Sequence, residues 1–173
     1  NKILWESIFD GNMPTFISLD GEKIVNKILS CHLKKDTSIL KNILTNISWQ
    51  SDIEKYFDRI SCCFDHERER WTYLFWHINN DGVRTALWRN EDKLESRDKK
   101  ICLSMNEDDI WEALSAGRVI PSGLLMHTTL ACYYGVTCFG GFAQGTYLPQ
   151  IFDAYQKISQ KTWERSEERR VGK

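Results

Sequence analysis

Between Pro121 and Gly135 the chain carries an apolar stretch with polar residues scattered through it: Leu124, Leu125, Met126, Leu130 and Cys132 lie around nearly the whole circumference of a helix. Such a helix must be covered on most sides. The alternative way of covering it, a bilayer, is ruled out by length, because the run from Val119 to Ala131 is broken by Pro121, Ser122, His127, Thr128 and Thr129. The segment is therefore expected to be the central core element of a folded domain, started by Pro121 in its first turn and stopped at Gly135. Ser122, in Pro121-Ser122-Gly123, lacks the glycine pattern of a nucleophile elbow and reads as part of the helix start.

What surrounds it follows from periodicity. Glu22–Leu33 places Ile24, Val25, Ile28 and Leu29 on one helical stripe. Asp36, Thr37 and Ser38 offer caps for a helix bearing Ile39, Leu40, Ile43, Leu44 and Ile47, and Ser51 or Asp52 opens a third bearing Ile53, Tyr56, Phe57 and Ile60. Ahead of these, residues 1–9 have helical spacing and Thr15–Leu19 alternates as a short strand. His66–Arg70 is a charged connector.

Trp71–Ile78 and Val83–Trp88 are rich in aromatic and branched residues, and Asn79-Asn80-Asp81-Gly82 between them tolerates positive φ, so the pair is expected to form an antiparallel hairpin. Both faces are largely apolar, which implies that the hairpin joins a larger covered sheet. Arg89–Lys100 reads as a polar connection and Ile101–Leu103 as a short strand. Ser104, with Glu107 three residues on, resembles a capping box before Ile110, Trp111 and Leu114, and Gly117 ends that helix. A last amphipathic helix from about Pro149 carries Ile151, Phe152, Tyr155 and Ile158. The expected fold class is α+β, mostly helical: three N-terminal helices, a central β-hairpin joined to a small antiparallel or mixed sheet, and a buried C-terminal helix pair.

The expected organisation is one globular domain over residues 1–164, a truncated fragment, because the chain starts at Asn1 already inside an amphipathic pattern. Residues 165–173, RSEERRVGK, resemble the in-frame translation of a sequencing-library adapter and are read as a non-native tail. With 23 basic and 24 acidic residues the formal net charge is -1, so no global field draws nucleic acid, and no membrane association is expected. The first residues lack the features of a secretory signal, and the six cysteines include an adjacent pair, Cys62-Cys63, and apolar settings for Cys102 and Cys132. Reduced thiols in a cytoplasmic protein are the expectation.

Cys62, Cys63 and His66 read C-C-x-x-H, half of a metal site at best, since no paired C-x-x-C framework accompanies it. No metal and no cofactor is expected, and the phosphate-loop, dinucleotide, zinc-protease and hydrolase signatures do not occur in the chain. Chemistry is sought instead where the apolar helix gives way to four glycines within eleven residues, Gly135 to Gly145. Gly140 and Gly141 let backbone approach a ligand, Gln144 both donates and accepts, and Tyr134 and Tyr147 have polar tips, so these five are the candidate ligand-binding residues. His127, a titratable ring on the apolar helix just upstream, is the candidate catalytic acid or base. The competing interpretation makes the glycines a tight crossing between core helices and His127 an ordinary hydrogen-bonded core residue.

Two functions fit these residues. One is a fragment of a cytosolic enzyme domain binding a small polar substrate, a small-molecule ligand, near the loop 135–147. The other is a noncatalytic interaction or structural domain whose aromatic surface around Trp71, Trp76 and Trp88 packs against a protein partner or a missing part of the chain.

Overall fold

In the computed structural model, residues 19–171 are described except 36, 139 and 140, with side chains described through residue 160. The expected helix at 1–9 and nearly all of the strand at 15–19 lie outside these residues, as do the side chains of the 165–173 tail. The fold is α+β, with six α-helices and two small antiparallel sheets of three strands each among the described residues.

Three helices come first. α1 spans Gly21–Leu33 with Asp20 as N-cap, accepting from Lys23 N, and buries Val25, Leu29, His32 and Leu33. α2 spans Ile39–Thr45, and of the three residues read as possible caps Ser38 fills the role, accepting from Lys41 N. Asn46 then ends α2 and N-caps α3, Ile47–Phe57, whose Trp49, Gln50, Ile53 and Phe57 are buried. α3 thus starts and ends earlier than the caps at Ser51 or Asp52 implied, because an asparagine side chain can cap wherever its oxygen reaches the first free N–H groups.

The hairpin forms where its turn residues place it, but shorter. β1, Phe75–Ile78, pairs with β2, Arg84–Ala86, with Trp76 opposite Ala86 and Ile78 opposite Arg84. Gly82 has φ +77° and Asn79 Oδ1 accepts from Val83 N at 2.8 Å. The strand does not begin at Trp71, since that residue sits at φ +67°. Thr72 and Tyr73 instead bond to Leu87, with Leu87 N donating to Thr72 Oγ1 at 2.9 Å and Tyr73 N to Leu87 O at 2.9 Å.

Arg89–Lys100, expected to be a mere connection, makes most of a second sheet: β3 (Trp88–Asn90), β4 (Lys93–Glu95) and β5 (Cys102–Ser104), in that order. Three-residue strands with mostly polar side chains leave little apolar alternation to read. Ser104 ends β5, and the cap of α4 (Glu107–Ser115) is Asn106, whose Oδ1 accepts from Asp109 N at 2.8 Å. Gly117, at φ +67°, follows the helix.

Pro121 is not in a helix. It ends β6, Val119–Pro121, which completes the first sheet by pairing antiparallel with β1, Pro121 lying opposite Phe75. The central helix starts one residue later, with Ser122 as N-cap of α5 (Gly123–His127), and continues as a π-helical stretch Thr128–Tyr133 up to Gly135 at φ +67°. α6, Gln144–Val171, begins before Pro149 and contains it.

These elements share one core. Leu124, Leu125 and Ala131 from the central helix, Ile151, Ala154 and Ile158 from α6, and Ile53 and Phe57 from α3 are all buried. α6 packs against α3 and the π-helical stretch, while α1 packs against α2, α4, α5 and β6. Polar ties cross the layers: Arg89 grips Glu54 with two bonds of 2.8 Å, Asn26 Nδ2 donates to Val119 O at 3.0 Å, and buried Tyr73 donates to Gln50 Oε1 at 2.8 Å. Among the described residues no helix is long and apolar enough to cross a membrane.

Nothing lies within 4 Å of a Cβ added at Gly82, so a larger residue there meets only the cost of left-handed backbone. Gly82→Val is expected to destabilise by about 1 kcal/mol or more, a fall in Tm of about 2–4 °C. Thermal unfolding followed by circular dichroism checks this, and an unchanged Tm would place the strain elsewhere.

Candidate functional site

Between α3 and β1 the backbone folds into a tight loop. Arg59 N donates to Phe64 O and Cys63 N to Ile60 O, each at 2.9 Å, with Arg59 at φ +66° and Cys62 at φ +70°. A β-carbon-bearing residue held left-handed costs about 1–2 kcal/mol, so surrounding contacts must impose this geometry on Cys62. One such contact is plain: a Cβ on Gly123 would stand 2.1 Å from Cys62 O and 3.3 Å from Cys62 Cβ. The loop rests on the first turn of α5, at a place only glycine leaves open.

This docking brings Cys62 to His127, one turn further along the same helix. The thiol of Cys62 is held down at about 6, first by hydrogen bonding with the neighbouring Cys63 and then by hydrogen bonding and charge interaction with His127, against the opposing effect of burial. The Cys63 thiol, fully buried, is pushed the other way, well above its ordinary value, by the same hydrogen bond and by desolvation. The two adjacent cysteines are thus differentiated into an acidic, half-buried thiol and a buried one that keeps its proton.

His127 is half-buried, and its ring packs against Tyr147 at 5.3 Å and 56°. Burial pushes the Tyr147 hydroxyl upward, and Gln144, the first residue of α6, opposes that shift. Of the residues singled out from the sequence, His127, Gln144 and Tyr147 therefore come together. Tyr134 does not join them: its hydroxyl bonds His32 Nε2 at 2.8 Å, while His32 Nδ1 meets Ser38 Oγ at 2.6 Å. Gly141 is exposed with nothing within 4 Å of an added Cβ, and Gly140 lies outside the described residues.

The π-helical stretch explains part of this split. Widening the helix directly after His127 changes the direction in which Tyr133 and Tyr134 leave it, and Tyr134 N closes back on Thr129 O at 3.1 Å. Tyr133 and Tyr134 then stack edgewise on His32, with Tyr133 at 4.9 Å.

Cys62 was visible in the sequence only as part of C-C-x-x-H, whose histidine is the wrong one. The chain from 58 to 66 is not helical, so Cys62 and His66 do not share a helix face. His66 instead packs on Phe64 and, at 5.4 Å, on Trp88. No group of three or more His, Cys, Asp or Glu that could hold a metal occurs among the described residues. Cys132 and Cys138 lie near enough to act on the same neighbourhood, Cys132 on the Cys63 charge and Cys138 on Tyr147.

A groove of ≈ 480 Å³ opens between α1 and α4, lined among others by Lys23, Lys27, Lys34 and Trp111. Its lining holds the exposed thiol of Cys31 but neither histidine nor carboxylate. No family model, curated protein or solved structure matches this chain.

Gly123→Ala is expected to destabilise the fold by about 1–3 kcal/mol, because the added methyl meets backbone that cannot rotate away. Gly145→Ala, with nothing within 4 Å and a helical backbone, serves as the comparison and should be neutral or slightly stabilising. Equal denaturant midpoints for the two variants would contradict the close approach.

Proposed function

We propose that the chain carries a thiol-based enzyme site for a small polar substrate, with Cys62 as nucleophile and His127 as its acid–base partner. The observation that carries this reading is the convergence of Cys62, Cys63 and His127 at the first turns of α5, fixed by the glycine contact at residue 123. A thiolate is the reactive form of cysteine, and hydrogen bonding to a histidine is the usual means of activating one. Once Cys62 attacks an electrophilic carbon, His127 is placed to return a proton to the departing group. Tyr147, packed on the His127 ring, and Gln144, at the start of the same helix, supply the hydroxyl and amide with which a polar substrate is oriented.

An interaction surface is the second reading, and a specific feature favours it. Tyr133 is 40% exposed, Tyr134 50% and Val136 47%, making a contiguous run of apolar surface at the end of the central helix. The tryptophans named for that role are less available, since Trp76 and Trp88 are only partly exposed and Trp71 alone is above half.

The enzyme reading has a test that needs no known substrate. Carbamidomethylation by iodoacetamide, followed residue by residue in peptide digests, is expected to label Cys62 with a rate that rises through pH 6 and levels off above about pH 7. The sign follows from the shift: a thiol pKa lowered to about 6 leaves the nucleophile about nine-tenths ionised at neutral pH. His127→Gln removes the base without removing polarity and is expected to move that profile upward and slow labelling at pH 6.5 by about tenfold. A profile identical in the two proteins would leave His127 as ordinary structure.

A further inference from the structure

We propose that Cys62 and Cys63 form a peroxide-responsive dithiol, in which a hydroperoxide oxidises the Cys62 sulfur and Cys63 then closes a reversible disulfide on it. The proposal rests on the reading of Cys62 as the reactive thiol of the site and names how that site is switched off and restored.

Three features support it. The two thiols belong to neighbouring residues, and their environments differ in the sense a redox pair requires: Cys62 is half-buried, while Cys63 is 0% exposed. The pair sits at the tip of a loop whose backbone belongs to neither helix nor strand, so a local change there breaks no regular ladder of hydrogen bonds. Third, adjacency limits the bond that would form. Consecutive Cα atoms are about 3.8 Å apart, below the roughly 4.4–6.8 Å that ordinary disulfides span, so the bridge would be strained and readily reduced. Strained disulfides have the higher potentials that suit reversible regulation more than structural stapling.

The chemistry balances. The Cys62 sulfur attacks the outer oxygen of the hydroperoxide, an S–O bond forms as the O–O bond breaks, and the departing alkoxide takes a proton to become an alcohol. Cys63 then attacks the Cys62 sulfenic acid, the S–S bond forms as the S–O bond breaks, and hydroxide leaves with the Cys63 proton as water. Two thiols have lost two electrons and two protons to one hydroperoxide. A small external dithiol returns both and restores the pair.

The test uses the full chain and hydrogen peroxide. Trypsin releases residues 60–68 as one peptide whose only cysteines are Cys62 and Cys63. After brief treatment with a few equivalents of peroxide, that peptide is expected to be about 2 Da lighter and refractory to alkylation, and to regain both properties on incubation with dithiothreitol. In Cys63→Ala, which keeps the buried position apolar, Cys62 sulfenic acid should persist and react with dimedone at least tenfold more than in the wild type. A circular dichroism spectrum matching the wild type qualifies the variant, and Cys63→Ser replaces it if alanine fails to fold. A disulfide mapped from Cys62 to Cys132 or Cys138, or oxidation confined to exposed Cys31 and Cys102, would overturn the proposal. If iodoacetamide labels Cys62 with the expected profile but peroxide leaves residues 60–68 as free thiols, the redox inference alone fails. If Cys62 shows neither reaction, the thiol-site reading fails with it.

Discussion

The loop before the first strand meets the central helix at Gly123, where a Cβ would stand 2.1 Å from the Cys62 carbonyl oxygen. Much of the arrangement around the site depends on that approach. Without it the 59–64 loop would stand off from α5, Cys62 would lose its reason for a left-handed backbone, and the thiol would not reach the helix that carries His127. The same helix start is pinned from the other side, because Ser122 caps α5 while its N–H donates to Leu74 O at 2.9 Å, just ahead of β1. One short turn therefore holds a sheet, a helix and a loop in register.

Around this point the domain divides its polar groups in two ways. Some are tied off structurally: Gln50 with Tyr73 and the Ile43 carbonyl, Glu54 with Arg89, and His32 with Ser38 and Tyr134. These buried and half-buried groups have found partners within the protein. His32 illustrates how a buried histidine ends as structure, since both ring nitrogens are occupied and burial lowers its pKa. His127 differs in kind. It is half-buried, and its neighbours are a thiol and the ring of Tyr147, groups that can exchange a proton or contact a ligand.

The two cysteines of the loop show how a small difference in depth separates two identical side chains. A shared hydrogen bond stabilises negative charge on the outer sulfur and opposes it on the inner one, and full burial reinforces the second effect. Ionisation is therefore favoured at Cys62 and opposed at Cys63. Such polarisation arises from the loop geometry and would be absent were Cys62 and Cys63 on a helix, where adjacent side chains point about 100° apart.

The sequence by itself determined the parts of this protein that follow from local spacing. The stripes of α1 and α2, the Asn79–Gly82 turn with its positive φ, the glycine ends after Leu114 and Tyr134, and a covered helix around Leu124 and Leu125 are each written in a few consecutive residues. Caps and strand limits were less legible, because several nearby Ser, Asp and Asn side chains compete to cap and only packing chooses among them. The second sheet was hidden for a related reason: β3, β4 and β5 are three residues each and hold together through cross-strand bonds that leave little periodic trace. The candidate site was legible in half. His127, Gln144 and Tyr147 lie close in the chain and meet as their order suggests, whereas Cys62 is far from them in sequence and Tyr134, close in sequence, is turned away by the π-helical stretch. Only tertiary structure could bring a thiol in one loop to a histidine in a distant helix, since a backbone approach at a single glycine is a property of two segments and is encoded in neither alone.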